Sequence, residues 1–317
     1  MKKSKPRFYE VRVPASSANL GAGFDCFGLA LNLFLTVRAT VQSGPTAHSE
    51  ARTRGVDGSE ALPSAPEENL ILRAMQHAAE RHGQRLPPVH LAVQNEIPIA
   101  GGLGSSAAAI VAGTALGFAV CGKKPTEGNA LRLAAEMEQH TDNLGAALLG
   151  GLVVSFVGAG GNVVALRKKW PKQIKVVAVT PKMRLQTAAS RAALPQTIEH
   201  AAAVHNLQRS ALFLAALDGR HDDLLWEAMQ DRLHQTYRQP LIPGLAEVLA
   251  IPRMAGLLGV ALSGSGPTVI ALATKNFAQI GKALAGQFER RGLSTTIRKL
   301  SAAQEGIRLN GKPLAKN

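Results

Sequence analysis

Residues 97–109 read IPIAGGLGSSAAA, three glycines and two serines followed by small helix formers. Gly101, Gly102 and Gly104 have no Cβ and tolerate positive φ, so consecutive N–H groups can converge on an anion. Ser105 and Ser106 add hydroxyls where a helix would begin. Residues 107–116 (AAAIVAGTAL) have the composition of a helix whose positive end would face that anion. Phosphate is the natural guest. No lysine follows Gly104, so the G-x-x-x-x-G-K-[ST] nucleotide loop is excluded. Taken alone, the run suits a plain turn before a buried Ala-rich helix equally well, and other segments must decide.

A second small-residue run, LSGSGPT at 262–268, lies between two apolar, strand-like segments. Its glycines allow a tight turn, and Ser263, Ser265 and Thr268 supply donors, in a hairpin turn or in a functional loop alike. Residues 14–28, PASSANLGAGFDCFG, pack Ser16, Ser17, Asn19 and Asp25 among glycines directly after a strand. After Gly21 and Gly23 the third fingerprint position is Cys26, which excludes the dinucleotide-binding G-x-G-x-x-G. In EQHTDNLGAALLGG (138–151), Glu138, His140, Asp142 and Asn143 fall close together at a helix end. They offer a metal ligand, a proton carrier and hydrogen-bonding groups, although helix caps favour the same residue types.

The 317 residues suffice for about two domains at ~150 residues each, with 46% hydrophobic and 18% charged residues indicating a globular chain. No run of 18 apolar residues occurs, and the charged start MKKSKPRFYEVRVP has no apolar stretch of signal-peptide length. The expected location is the cytoplasm, away from membranes. Cys26 and Cys121 are too few for a disulfide framework and form no C-x-x-C pair. The net charge of +14 comes from short clusters at Lys2, Lys3, Lys5 and Arg7, at 167–172, and at Arg308, Lys312 and Lys316. With 4% aromatic residues and no basic-aromatic interleaving, the stacking platforms of nucleic-acid readers are missing, so no specific nucleic-acid partner is expected.

Periodicity predicts strands at 9–14, 31–41, 89–93 and 151–157 and helices at 68–82 and 107–116, with a Thr126-capped helix running to His140. Residues 43–66 read as a surface excursion. A boundary is expected within 158–172, dividing the chain into domains 1–168 and 169–317. Beyond it come strands at 174–180, 259–262, 269–272 and 295–300, and helices at 200–217, 222–234, 245–254 and 276–290. The irregular alternation is α+β, unlike a doubly wound sheet.

PASSANLGAGFDCFG, PIAGGLGSSAAA and SGSGPT, in this order, resemble the three motifs of the GHMP kinases. The ANLGAGFD spelling, the EQHTDN block and Thr187 and Arg191 followed by DRLHQTYRQPLIPG are most similar to the homoserine kinases, from about Tyr9 to Leu300. The resemblance implies an N-terminal ATP-binding domain with a left-handed β-α-β unit, a ferredoxin-like C-terminal domain, a site between them and a homodimer. It implies ATP and Mg²⁺ as cofactors and phosphorylation of the L-homoserine side-chain hydroxyl. It assigns Pro98, Gly101, Gly102, Leu103, Gly104, Ser105, Ser106 and Ala107 to the triphosphate, Asn69 to the adenine side, and Ser106 and Glu138 to Mg²⁺. Asn19 and Asp25 would hold the substrate's amino end, Arg191 and Arg238 its carboxylate with Thr187 assisting, and Ser263 and Gly264 complete the substrate pocket. Gly101 departs from the basic or polar residue often found there in relatives.

Where several GHMP kinases carry an aspartate as base, this chain has Asn143, which cannot take a proton. The expectation is direct attack by the hydroxyl, oriented by Asn143, with His140 and Asp142 as alternative acceptors. A mevalonate-type kinase would share the phosphate loops but leave Asn19, Asp25, Arg191 and Arg238 without a joint purpose. A non-catalytic basic binding protein would leave the loops themselves without one.

Overall fold

Alternation of core-facing and outward residues opens the chain as a hairpin: β1 (Phe8–Ala18) runs antiparallel to β2 (Phe27–Val41). The computed structural model describes residues 7–42, 48–56, 59–138 and 140–316. Lys2, Lys3 and Lys5, part of the 43–66 excursion, and Gln139 lie outside the described residues. The excursion contains β3 (Glu50–Gly55), which pairs in parallel with β4 (Val89–Asn95) across α1 (Leu70–Arg81), forming a β-α-β unit. β3 reads EARTRG and buries only Ala51. A polar edge strand of this kind carries no apolar alternation in its sequence.

Three helices follow: α2 (Ser105–Val120), α3 (Glu127–Ala135) and α4 (Thr141–Leu149). Every residue of α2 from Ala107 to Val120 is buried, as an Ala-rich helix without a polar face must be. α3 is capped as expected, Asn129 N–H donating to Thr126 Oγ1 at 3.2 Å. The predicted helix to His140 instead stops at Ala135, and a new one starts after His140, whose backbone is extended. β5 (Leu152–Val157) pairs with β2, and β6 (Val163–Lys168) with β5. β6 therefore occupies sequence that reads as boundary.

The second sheet comprises β7 (Lys175–Pro181), β8 (Leu257–Leu262), β9 (Val269–Ala273) and β10 (Thr295–Leu300), in the order β10-β7-β9-β8 and antiparallel throughout. Between β7 and β8 lie α5 (Thr187–Ala192), α6 (His200–Gly219), α7 (Leu225–Ala228), α8 (Gln235–Arg238) and α9 (Leu245–Leu249); α10 (Phe277–Glu289) joins β9 to β10. This β-α-β-β-α-β order is ferredoxin-like. The helix expected at 222–234 is broken because the Asp231 carboxylate accepts the main-chain N–H groups of Leu233, His234 and Gln235, competing with the helical ladder. The chain then returns to the first sheet: β11 (Arg308–Leu309) pairs with β1, and β12 (Lys312–Pro313) with β11. One apolar core lies between the first sheet and α1, α2 and α4; the other lies under α10, around Val177, Leu262, Leu284 and Phe288.

Candidate active site

The three small-residue loops are hydrogen-bonded to one another. Gly264 N–H donates to Ala18 O at 3.1 Å, Thr268 N–H to Gly101 O at 3.2 Å and Ser16 N–H to Leu103 O at 3.1 Å. Ser263 Oγ donates to Gly102 O at 2.6 Å and lies 2.8 Å from Ser17 Oγ. The β8–β9 loop thus clamps the glycine run to the end of β1, and a cleft opens where they meet.

The floor of the cleft is the start of α2. Gly102 and Gly104 adopt φ of 79° and 71°, and Gly104 is the N-cap, with no side chain satisfying the first N–H groups. A Cβ at Gly102 would sit 2.6 Å from Ser263 O, and one at Gly104 would sit 2.1 Å from Ser16 Oγ. These positions need glycine for both backbone and space. Gly101, Ser105, Ser106 and Ala107 also line the cleft. Uncapped N–H groups and the positive helix end form an anion cradle. Leu103 is fully buried, Pro98 is half-buried at the start of the loop, and neither lines the cleft. Asn69 lies elsewhere: its Oδ1 caps α1 by accepting from Ile71 and Leu72 N–H, its Nδ2 donates to Pro63 O at 2.6 Å, and it is 1% exposed. Its amide oxygen and one amide N–H are engaged within the protein, and it does not line the cleft.

Facing the cradle is a polar wall. Asn19 and Asp25, both at positive φ, sit in the β1–β2 loop; Asn19 Nδ2 donates to Gly264 O at 3.1 Å and its Oδ1 accepts from Asp25 N–H at 3.0 Å. Asp25 and Arg191, which the resemblance assigns to opposite ends of a substrate, pair with each other through two hydrogen bonds of 2.9 and 2.5 Å. Thr187 Oγ1 lies 3.3 Å from Ser265 Oγ, at the start of the same short helix. Arg238 lines the cleft yet is 2% exposed. Its Nε donates to Ser190 O at 3.3 Å, and its Nη1 to Gly264 O and His234 Nδ1, both at 3.0 Å. Burial, then the nearby Arg191, lowers its pKa to about 10, which leaves it cationic at neutral pH. Phe24 stacks on His234, with 5.0 Å between ring centroids, and lies 5.5 Å from the guanidinium carbons of both Arg191 and Arg238.

At the other end Glu138 Oε1 and His140 Nδ1 are 2.6 Å apart. Asn143 Oδ1 accepts from Ser16 Oγ at 2.8 Å, and Asn143 N–H donates to Asp142 Oδ1 at 2.6 Å. The structure therefore gathers Asn19, Asp25, Glu138, His140, Asp142, Asn143, Thr187, Arg191, Arg238 and Gly264 around the cradle. Ser263, fully buried, supports the cleft from behind. Sequence reasoning named Ser265 only as a loop donor and assigned no site role to it, Leu185, Gly266 or Phe24, although the first three line the cleft and Phe24 is part of its wall. Ser265 and Gly266 are legible in SGSGPT, whereas an isolated Leu or Phe carries no signal.

Residues 69–151 match the sequence model for the GHMP kinases N terminal domain, and 210–289 that for GHMP kinases C terminal. The chain is 41% identical to the homoserine kinase of Moorella thermoacetica over 296 residues, covering 93% of this chain and 98% of that one. It is 42% identical to that of Deinococcus radiodurans over 267 residues, covering 84% and 85%.

The chain belongs to the homoserine kinase family of the GHMP kinases.

The crystal structure of homoserine kinase from Cytophaga hutchinsonii superposes with a TM-score of 0.83 at 27% identity, covering 98% of this chain and 99% of that one. A mevalonate kinase from L. major, at 15% identity and TM-score 0.67, shares the fold. Asp142 is buried at the edge of the cleft. Burial, opposed by the Asn143 N–H and reinforced by the Asp25 charge, raises its pKa to about 6 from an unfolded value near 3.9. A carboxyl raised on folding favours the native state in its protonated form. That contribution is complete below pH ~3.9 and is lost as pH rises through about 6, a difference of about 3 kcal/mol at pH 7. Asp142→Asn is therefore expected to raise Tm at pH 7.5 by several degrees and to change it little at pH 4, as read by thermal melts across that range.

Proposed function

We propose that the protein transfers the γ-phosphoryl group of ATP to the side-chain hydroxyl of L-homoserine, giving O-phospho-L-homoserine on the way to threonine. The observation that carries this reading is the union, in one cleft, of a helix-start anion cradle and a charged set suited to an amino-acid zwitterion: Asp25, Arg191 and buried Arg238. Asp25 receives the ammonium and Arg238 the carboxylate, with Arg191 passing from Asp25 to the carboxylate and Thr187 beside it. Ser105, Ser106 and the N–H groups of the glycine run hold the triphosphate.

Ser106 and Glu138 offer hard oxygen donors beside the cradle, the donor type Mg²⁺ takes when phosphate and water complete its shell. Mg²⁺ bound with ATP neutralises charge on the phosphates. Glu138→Gln is expected to raise the Mg²⁺ concentration for half-maximal activity by about tenfold at saturating ATP; an unchanged Mg²⁺ titration removes Glu138 from this role.

Asn143, held by Ser16, orients the hydroxyl, which attacks directly and gives its proton to a phosphate oxygen. The support for this over a protein base is that Asn143, which cannot take a proton, lines the cleft where the hydroxyl would be oriented, and that phosphoryl transfer needs only modest nucleophilic assistance. Loss of a general base typically removes 10²–10⁴ in rate. Direct attack expects Asp142→Asn and His140→Ala to lose less than about tenfold in kcat, measured at saturating substrates.

The reading includes a homodimer acting in the cytoplasm without a nucleic-acid partner. The deciding assay incubates the protein with MgATP and, separately, L-homoserine, L-serine, mevalonate and galactose, identifying products by mass. Phosphorylated homoserine as the dominant product supports the proposal, and phosphorylation of mevalonate or galactose in its place overturns it.

A further inference from the structure

We infer that His234, as a neutral ring accepting from Arg238 and donating to Gly21, is a positioning residue that holds the Arg238 guanidinium in place for the substrate carboxylate. The inference rests on the reading above that Arg238 receives that carboxylate.

The ring's partners dictate its tautomer. Arg238 Nη1 only donates, so the Nδ1 that meets it at 3.0 Å carries a lone pair; Gly21 O only accepts, so the Nε2 at 3.0 Å carries the proton. His234 is fully buried, and burial, aided by the Arg238 charge, holds its pKa below the usual histidine value. The charged groups facing it are Asp231 in its own turn, with Oδ2 3.7 Å from Nε2, Arg238 four residues on, and Asp25 across the loop. Asp231 is already occupied by three main-chain N–H groups and Asn206 Nδ2. From the β1–β2 loop, Gly21 and the stacked Phe24 present no charge.

The chemistry of the anchors matters more than their number. Ser190 O, Gly264 O and His234 Nδ1 are all neutral acceptors. They fix the guanidinium without neutralising it, whereas a carboxylate at 234 would complete an internal ion pair and compete with the substrate. The histidine's other nitrogen reaches Gly21, two residues from Asn19 and four from Asp25, so one ring ties the carboxylate-binding group to the loop that carries the ammonium-binding group. Phe24, lying on the ring, blocks its rotation out of this arrangement.

The test separates the two nitrogens. His234→Asn places an amide oxygen where Nδ1 stands and keeps the acceptor for Arg238; His234→Gln extends to the Nε2 position and loses it. The Gln variant is expected to raise KM for L-homoserine about tenfold, with KM for ATP unchanged, and the Asn variant to stay within about threefold of the parent. In an Arg238→Gln background, His234→Gln is expected to add less than about twofold. If the Gln variant has no cooperative melt, His234→Ala replaces it in the same comparison. Equal effects of Asn and Gln, equal changes in both KM values, or full additivity with Arg238→Gln overturn the inference. An unchanged KM in Arg238→Gln alone identifies the failure as that of the carboxylate assignment.

Discussion

Arg238→Ala is expected to raise KM for L-homoserine by about a hundredfold or more while leaving KM for ATP within about threefold. Arg238 is cationic at neutral pH, 2% exposed and, among the described residues, anchored to the neutral acceptors Ser190 O, Gly264 O and His234 Nδ1. A carboxylate meeting it exchanges water for a charge-assisted bond in a shielded site, where such bonds are about twice as strong as neutral ones. Removing the side chain deletes that bond and also leaves Ser190 O, Gly264 O and His234 Nδ1 without their donor. Steady-state kinetics with each substrate varied in turn, beside a thermal melt, separates loss of binding from loss of fold. Equal elevation of both KM values sinks the assignment, since the triphosphate is proposed to bind other residues.

The second large effect is expected from Gly104→Ala. At φ 71° an alanine is strained by about 1 kcal/mol, and its Cβ would lie 2.1 Å from Ser16 Oγ and 3.1 Å from Asn143 Oδ1. Ser16 and Asn143 form a hydrogen-bonded pair, and Asn143 is the group proposed to orient the hydroxyl. Relieving the clash moves either that pair or the start of α2, so kcat/KM for ATP is expected to fall at least about a hundredfold. Stability should drop by about 2–4 kcal/mol, the sum of strain and overpacking. Gly122 is the control: it has the same φ of 71° and open space around it. Gly122→Ala should lose about 1 kcal/mol and keep full turnover. Comparable turnover in the two variants would show that the contacts around Gly104 play no part in catalysis.

Most of the site's membership was legible because its residues come in tight local patterns. The glycine–serine run, ANLGAGFD and EQHTDN each concentrate unusual residue types, and α2 followed from an unbroken apolar stretch. Elements without such a signature were not legible. β3 is a charged edge strand, and the break between α3 and α4 has no glycine or proline to mark it. The split of residues 222–234 depends on Asp231 turning its carboxylate onto three main-chain N–H groups, one of several placements open to an aspartate. Asn69 shows why a residue type alone is ambiguous, since the amide the resemblance assigns to adenine is here a helix cap.

Sequence alone determined that the chain is α+β and that it carries phosphate-compatible loops; the charged residues for a zwitterion came only from the family resemblance. Those properties follow from backbone permissiveness and side-chain chemistry, which are local. Tertiary structure decided which groups already hold one another. Asp25 and Arg191 are partners before any substrate arrives, Asn69 is occupied as a cap, and the β8–β9 loop clamps the glycine run to β1. It also turned His234, a lone histidine in sequence, into the neutral anchor of Arg238. Tautomer, charge compensation and reach depend on residues more than 200 positions apart meeting at contact distance, as His234 meets Gly21; no local pattern encodes them.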